Sequence, residues 1–99
     1  MYKIDFSKKY EKRAKKFFKK HRNLKEKYIK TIHILESNPY HPSLRLHKLQ
    51  GELREFYSVS IDMEYRIILD FIIIDKEIIL IDNGSHMKSI NPKKSRSNR

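Results

Sequence analysis

The chain contains no cysteine, which excludes a disulfide framework and a thiolate zinc site and is compatible with an intracellular location. It has only two glycines, Gly51 and Gly84, and neither belongs to a Gly-rich phosphate loop; both are expected to form turns. No apolar run is long enough to cross a membrane, because the stretches near Phe71 and Ile78 are interrupted by Asp70, Asp75, Lys76 and Glu77. The opening MYKIDFSKK lacks the apolar segment of a signal peptide, so no leader is expected. No internal repeat is present. Acidic residues are scarce, 12 against 23 Lys and Arg in 99 residues, and the net charge is +11.

That charge is unevenly placed. Residues 1–30 hold 13 Lys/Arg against 3 Asp/Glu, residues 31–82 hold 5 against 9, and residues 83–99 hold 5 against none. A basic block of this density favours a polyanionic partner, of which nucleic acid is commoner than an anionic membrane for a small domain. A solvated helix face or an acidic protein partner would account for the same field. The length suffices for one compact core and not two. One domain over residues 1–90 is therefore expected, with a basic and disordered tail over 91–99.

Tyr2 and Ile4 alternate with Lys3 and Asp5, which suits a short strand. Ser7 or Asp5 can cap a following helix, in which Phe6, Tyr10, Ala14, Phe17 and Phe18 form an inner stripe at helical spacing between lysines. His21-Arg22-Asn23 breaks the pattern, and Asn23 is the expected cap of a second helix carrying Leu24, Tyr28, Ile32 and Leu35. So short a connection predicts an antiparallel pair, ended near Asn38 by Pro39 and Pro42, with Tyr40 and His41 in an extended linker. His21, His33 and His41 show no metal-ligand spacing.

Beyond Gly51 the period changes to two. Tyr57, Val59 and Ile61 alternate with polar residues, then Tyr65, Ile67, Leu69 and Phe71 form a second strand after a turn at Asp62-Met63-Glu64. A third strand over Ile78–Ile81 follows a turn at Asp75-Lys76-Glu77, and Asn83-Gly84 is expected to end it. The expected class is α+β: an N-terminal strand, an antiparallel helical hairpin and a three-stranded antiparallel segment completing a small twisted sheet.

The order of elements, together with LHKLQG, the strand pair FYSVSID and YRIIL, and the closing NGSHMKSI, resembles the RelE/ParE superfamily of type II toxin–antitoxin toxins. The resemblance is closest to the YafQ-like and YoeB-like mRNA interferases and extends to about Ile90. It implies a metal-independent, cofactor-free endoribonuclease that enters the ribosomal A site, cuts mRNA and is neutralised by a cognate antitoxin. The implied toxin is a cytoplasmic monomer within a hetero-oligomeric complex. The implied reaction uses the RNA 2′-OH as nucleophile and leaves a 2′,3′-cyclic phosphate and a 5′-OH.

Carried over by position, the resemblance assigns His47 and His86 as the acid–base pair, Arg66 as the cation facing the phosphate, and Glu64 as base or orienting group. Tyr65 would offer a stacking surface, with Lys48 and Arg54 as auxiliary phosphate contacts. Ser60 stands where YafQ-like members have a histidine, and Ile90 where an aromatic residue is usual. The alternatives are a ParE-like inhibitor of DNA gyrase on the same fold and a catalytically inert homologue that binds RNA or antitoxin. Read without the resemblance, His47 and His86 are ordinary structural or solvated imidazoles, Arg66 pairs with Asp62 or Glu64 across the turn, and Tyr65 fills the sheet face.

Overall fold

The Ser7 hydroxyl accepts a hydrogen bond from the backbone N–H of Tyr10 at 3.1 Å, and this cap separates the first strand from the first helix. In the computed structural model, which describes residues 1–72 and 74–85, strand β1 spans Lys3–Phe6 and helix α1 spans Lys8–Lys20. From Tyr10 onward the inner stripe of α1 is as its spacing predicts, with Tyr10 buried and Ala14, Phe17 and Phe18 half-buried against the core, but Phe6 does not belong to it: it precedes the Ser7 cap, ends β1 and is exposed. Its seven lysines are all exposed, with Lys19 and Lys20 at the negative end of the helix dipole.

A 3-10 turn over Arg22–Leu24 leads directly into helix α2, Lys25–Ser37. Asn23 does not cap this helix. The residue before α2 is Leu24, already in helical conformation and without a side-chain cap, because the turn continues into the helix and burial of Leu24 sets where the chain turns. The helices meet through side chains, the Phe18 and Tyr28 rings lying 4.6 Å apart. At Asn38 the backbone becomes extended and α2 stops, with buried Pro39 beyond it. The expected extended linker at Tyr40 and His41 is instead a turn followed by a 3-10 turn over Pro42–Leu44, in which the His41 ring accepts from the Ser43 backbone N–H.

Four further strands follow: β2 (His47–Lys48), β3 (Tyr57–Ser60), β4 (Tyr65–Ile72) and β5 (Glu77–Ser85). They form one sheet of order β1-β5-β4-β3-β2. The three-stranded antiparallel segment is present as β3-β4-β5, yet the sheet as a whole is mixed, since β1 lies parallel to β5. The short strand β2, pairing His47 with Ser58 and Lys48 with Tyr57, adds an edge that periodicity does not reveal.

At the β3–β4 hairpin, Asp62 accepts from the backbone N–H groups of Glu64 and Tyr65, both at 2.8 Å, which stabilises the expected turn without glycine. Gly51, at φ +70°, is the turn former expected of it. Gly84 is not: β5 continues to Ser85, and Gly84 stands opposite Arg66. Within β5, Ile68 pairs with Asp82 and Leu69 with Leu80, so Ile81 is an extra residue, a β-bulge. His86, Ile90 and the 91–99 tail lie outside the described residues.

Register divides the sheet into two faces. Val59, Ile67, Leu69, Phe71, Ile78 and Leu80 turn toward the helices, where Leu24, Leu35 and Leu44 complete the core. Leu35 is fully buried. Leu35→Ala is expected to cost about 2–5 kcal/mol through lost transfer energy and a residual cavity, seen as a lower urea midpoint with unchanged slope.

Candidate functional site

The sheet face away from the helices carries an arginine. On β4 the alternation that sends Ile67 and Leu69 into the core sends Arg66 and Ile68 the other way. Arg66 lies between Ser60 on β3 and Gly84 on β5, and is only 3% exposed. Burial lowers its pKa; arginine nevertheless remains a cation near neutral pH.

The adjacent row on this face runs His47, Ser58 and Ile68; Asp82, opposite Ile68 at the bulge, has its carboxylate 3.9 Å from the Arg13 guanidinium of α1. His47 and Arg66 thus share a face, two strands and two residues apart, about 12 Å between Cα atoms at standard sheet spacing. The His47 ring is exposed, and its Nδ1 lies 3.0 Å from the carbonyl oxygen of Arg45. A carbonyl only accepts, so Nδ1 carries the hydrogen and, in the neutral ring, Nε2 keeps its lone pair. Arg45 is held in the left-handed region at φ 50°, just after the Pro42–Leu44 turn.

The other residues implicated by sequence are placed differently. Glu64 is exposed at the hairpin tip, two positions before Arg66. Tyr65 turns to the helix side, its ring 4.8 Å from His21 and 5.7 Å from Phe17, so it packs against the end of α1 and does not stand beside Arg66. Lys48 alternates to the face of Tyr57, opposite to that of His47. Arg54 is exposed in the β2–β3 connection, its guanidinium donating to the Gly51 carbonyl at 3.4 Å. Asp62 lies 3.9 Å from Lys27. Among the described residues no group of three or more His, Asp or Glu could hold a metal ion, and no helix is long and apolar enough to cross a membrane.

Sequence reading singled out Ser60 only as a departure from the YafQ-like pattern and did not single out Ser58; the cross-strand register places both hydroxyl residues on this face. It also missed a buried polar chain behind the face. The Tyr10 hydroxyl donates to Asn83 Oδ1 at 2.8 Å and is 2.9 Å from the Tyr28 hydroxyl, tying both helices to β5 one residue before Gly84. Burial, then the neighbouring Tyr28, push the Tyr10 pKa far above the ordinary value; burial also raises that of Tyr28.

No protein-family model matches the sequence, and no curated protein does. Solved structures do match the fold. YafQ from Escherichia coli superposes with a TM-score of 0.69 at 18% identity, covering 87% of this chain and 94% of that one. A metal-bound toxin from Helicobacter pylori gives a TM-score of 0.69 at 26% identity, covering 87% and 96%. The YoeB–YefM toxin–antitoxin complex from Staphylococcus aureus gives 0.65 at 21%, covering 87% and 98%.

The tyrosine–asparagine chain makes a stability prediction. Tyr10→Phe deprives Asn83 and Tyr28 of a buried partner and should cost about 1–3 kcal/mol at pH 7. Above pH 10.0, the ordinary tyrosine pKa, the unfolded chain releases a proton that folded Tyr10 retains, so stability falls as pH rises. Denaturant titrations at pH 9 and 11 should show a smaller alkaline loss in Tyr10→Phe than in the parent chain.

Proposed function

We propose that this chain, which has the fold of the RelE/ParE-superfamily toxins, is the toxin of a type II toxin–antitoxin pair and acts as a ribosome-dependent mRNA endoribonuclease. The observation that carries the reading is the pairing, on one sheet face, of an imidazole whose Nε2 is free to take a proton with a guanidinium fixed in a buried site. Cleavage of RNA by its own 2′-OH needs just such groups.

In this reading His47 Nε2 accepts the proton of the 2′-OH as that oxygen bonds to the adjacent phosphorus. The P–O5′ bond breaks, His86 gives a proton to the departing 5′-oxygen, and the products are a 2′,3′-cyclic phosphate and a 5′-OH. Arg66 stabilises the charge that gathers on the non-bridging oxygens; its planar fork matches phosphate better than an ammonium does. Glu64, at the open hairpin tip, orients the nucleophile or the imidazole. Arg54 supplements the contact with the RNA backbone, while Tyr65 and Lys48, on the other face, contribute packing and field. The exposed lysines of α1 suit the phosphate-rich surface of a ribosome.

An antitoxin partner follows from the same reading, and the YoeB–YefM complex, with this fold, supports it. Inducing the chain in growing bacteria should stop translation and generate mRNA fragments ending in 2′,3′-cyclic phosphate, mapped by primer extension and end-group analysis. His47→Gln and Arg66→Lys should each lower cleavage by about 100-fold or more, with folding checked by circular dichroism. Unchanged cleavage in both variants would overturn the site. Intact mRNA accompanied by DNA damage and filamentation would replace the nuclease with a gyrase inhibitor.

A further inference from the structure

At the edge of the sheet, where β2 ends, lies a small polar cleft that the proposed chemistry does not use. β2 pairs only with Tyr57 and Ser58 of β3, so Ser60 has no strand on its outer side. Helix α2 and the Pro42–Leu44 turn stand there instead and bound a space of about 220 Å³. Ile34, Leu44 and Ile61 supply apolar walls, while Lys27 and Lys30 of α2 bring two positive charges to the same space. The volume is below the roughly 300–1,000 Å³ of sites for drug-sized ligands and suits an ion-sized group.

Some polar groups of the cleft are already engaged. The Thr31 hydroxyl donates to the Lys27 carbonyl oxygen at 2.8 Å, and the Ser43 hydroxyl lies 2.9 Å from His41 Nδ1. That nitrogen accepts from the Ser43 backbone N–H, so it carries no hydrogen and the Ser43 hydroxyl proton is held on it as well. Ser60 and Lys30, by contrast, form no side-chain hydrogen bond or ion pair with any described residue. Lys27 lies 3.9 Å from Asp62, but that carboxylate already accepts from two backbone N–H groups, and an ion pair of this length with a largely exposed lysine is worth little. Two cations and one hydroxyl proton are thus left facing the cleft without a firm acceptor.

Their position indicates the ligand class. Ser60 stands opposite Arg66 in the β3–β4 ladder, so the cleft continues the line from the guanidinium across the sheet, about 10 Å away at standard strand spacing. A line of cations crossing the strands fits anions repeated along a backbone. A carboxylate offers two oxygens, whereas a phosphate can meet both ammonium groups and the Ser60 hydroxyl at once. We infer that Lys27, Lys30 and Ser60 form a subsite for a phosphate group, filled in the proposed reaction by an RNA phosphodiester flanking the scissile one. The RNA backbone then runs from Arg66 over Ser60 to α2. Assignment of RNA as the source rests on the nuclease reading above; the affinity of the cleft for phosphate does not.

The test uses the purified full chain, isotope-labelled for NMR, and four probes: inorganic phosphate, a thymidine dinucleotide with one phosphodiester, a tetranucleotide with three, and tetraglutamate. The deoxy sugars lack the 2′-OH, so neither nucleotide can be cleaved by it. Inorganic phosphate should shift the resonances of Lys27, Lys30 and Ser60. The tetranucleotide should bind about tenfold or more tighter than the dinucleotide. Lys27→Gln combined with Lys30→Gln should reduce that advantage to about threefold or less and lower the salt slope by about 0.7. Lys3→Gln combined with Lys76→Gln, the same loss of charge at the β1 edge, should leave the advantage intact. An undiminished advantage in the α2 variant, an equal loss in the β1 control, tetraglutamate binding these residues as tightly as the tetranucleotide, or no shift by phosphate would each overturn the subsite. Cleavage of mRNA in cells by a chain whose cleft binds no phosphate would defeat the subsite and leave the nuclease reading standing. A cleft that binds phosphate in a chain that never cuts mRNA would do the reverse.

Discussion

The molecule depends on the alternation of one strand. In β4, Ile67 and Leu69 must be buried against the helices, and this fixes the outward direction of Arg66. A slip of one residue would put the guanidinium into the apolar core and the isoleucine beside the candidate site, an exchange costing several kcal/mol on the charged group alone. The hydrophobic core and the chemistry are thus set by the same register, and neither can move without the other.

Much of this arrangement could be read from the chain. Ser7 as a cap, the aromatic stripe of α1, the break at His21 and the turn at Asp62 are local features, written in residues close to one another. What escaped is non-local. The parallel pairing of β1 with β5 joins segments more than seventy residues apart, and β2 is too short to show any period; it exists because β3 offers it an edge. Asn23 and Gly84 misled for a related reason. Each has the chemistry of a chain terminator, but Leu24 burial and the β4 ladder, respectively, decided the local conformation.

The candidate site was partly readable by the same rule. Neighbours in a strand face opposite ways, so of His47 and Lys48, and of Tyr65 and Arg66, only one of each pair can belong to a given face. That His47 and Arg66 are the two that coincide requires the register through β3, which no single segment contains. The tautomer of His47 depends on the carbonyl of Arg45, whose left-handed backbone is likewise invisible in the residue type.

The bulge at Ile81 changes the meaning of everything after it. Ahead of it, the even-numbered residues Ile78 and Leu80 turn to the helices; behind it the odd-numbered Asn83 does so, and Gly84 falls beside Arg66. Were Ile81 taken into the ladder and the bulge lost, the parity would revert: the amide would leave the tyrosine hydroxyl, and the glycine would face the helices instead of lying beside the arginine. The bulge thus decides which side chains at the far end of β5 reach the tyrosine pair and which lie along the arginine row, and a change that favoured regular pairing there would exchange the two sets.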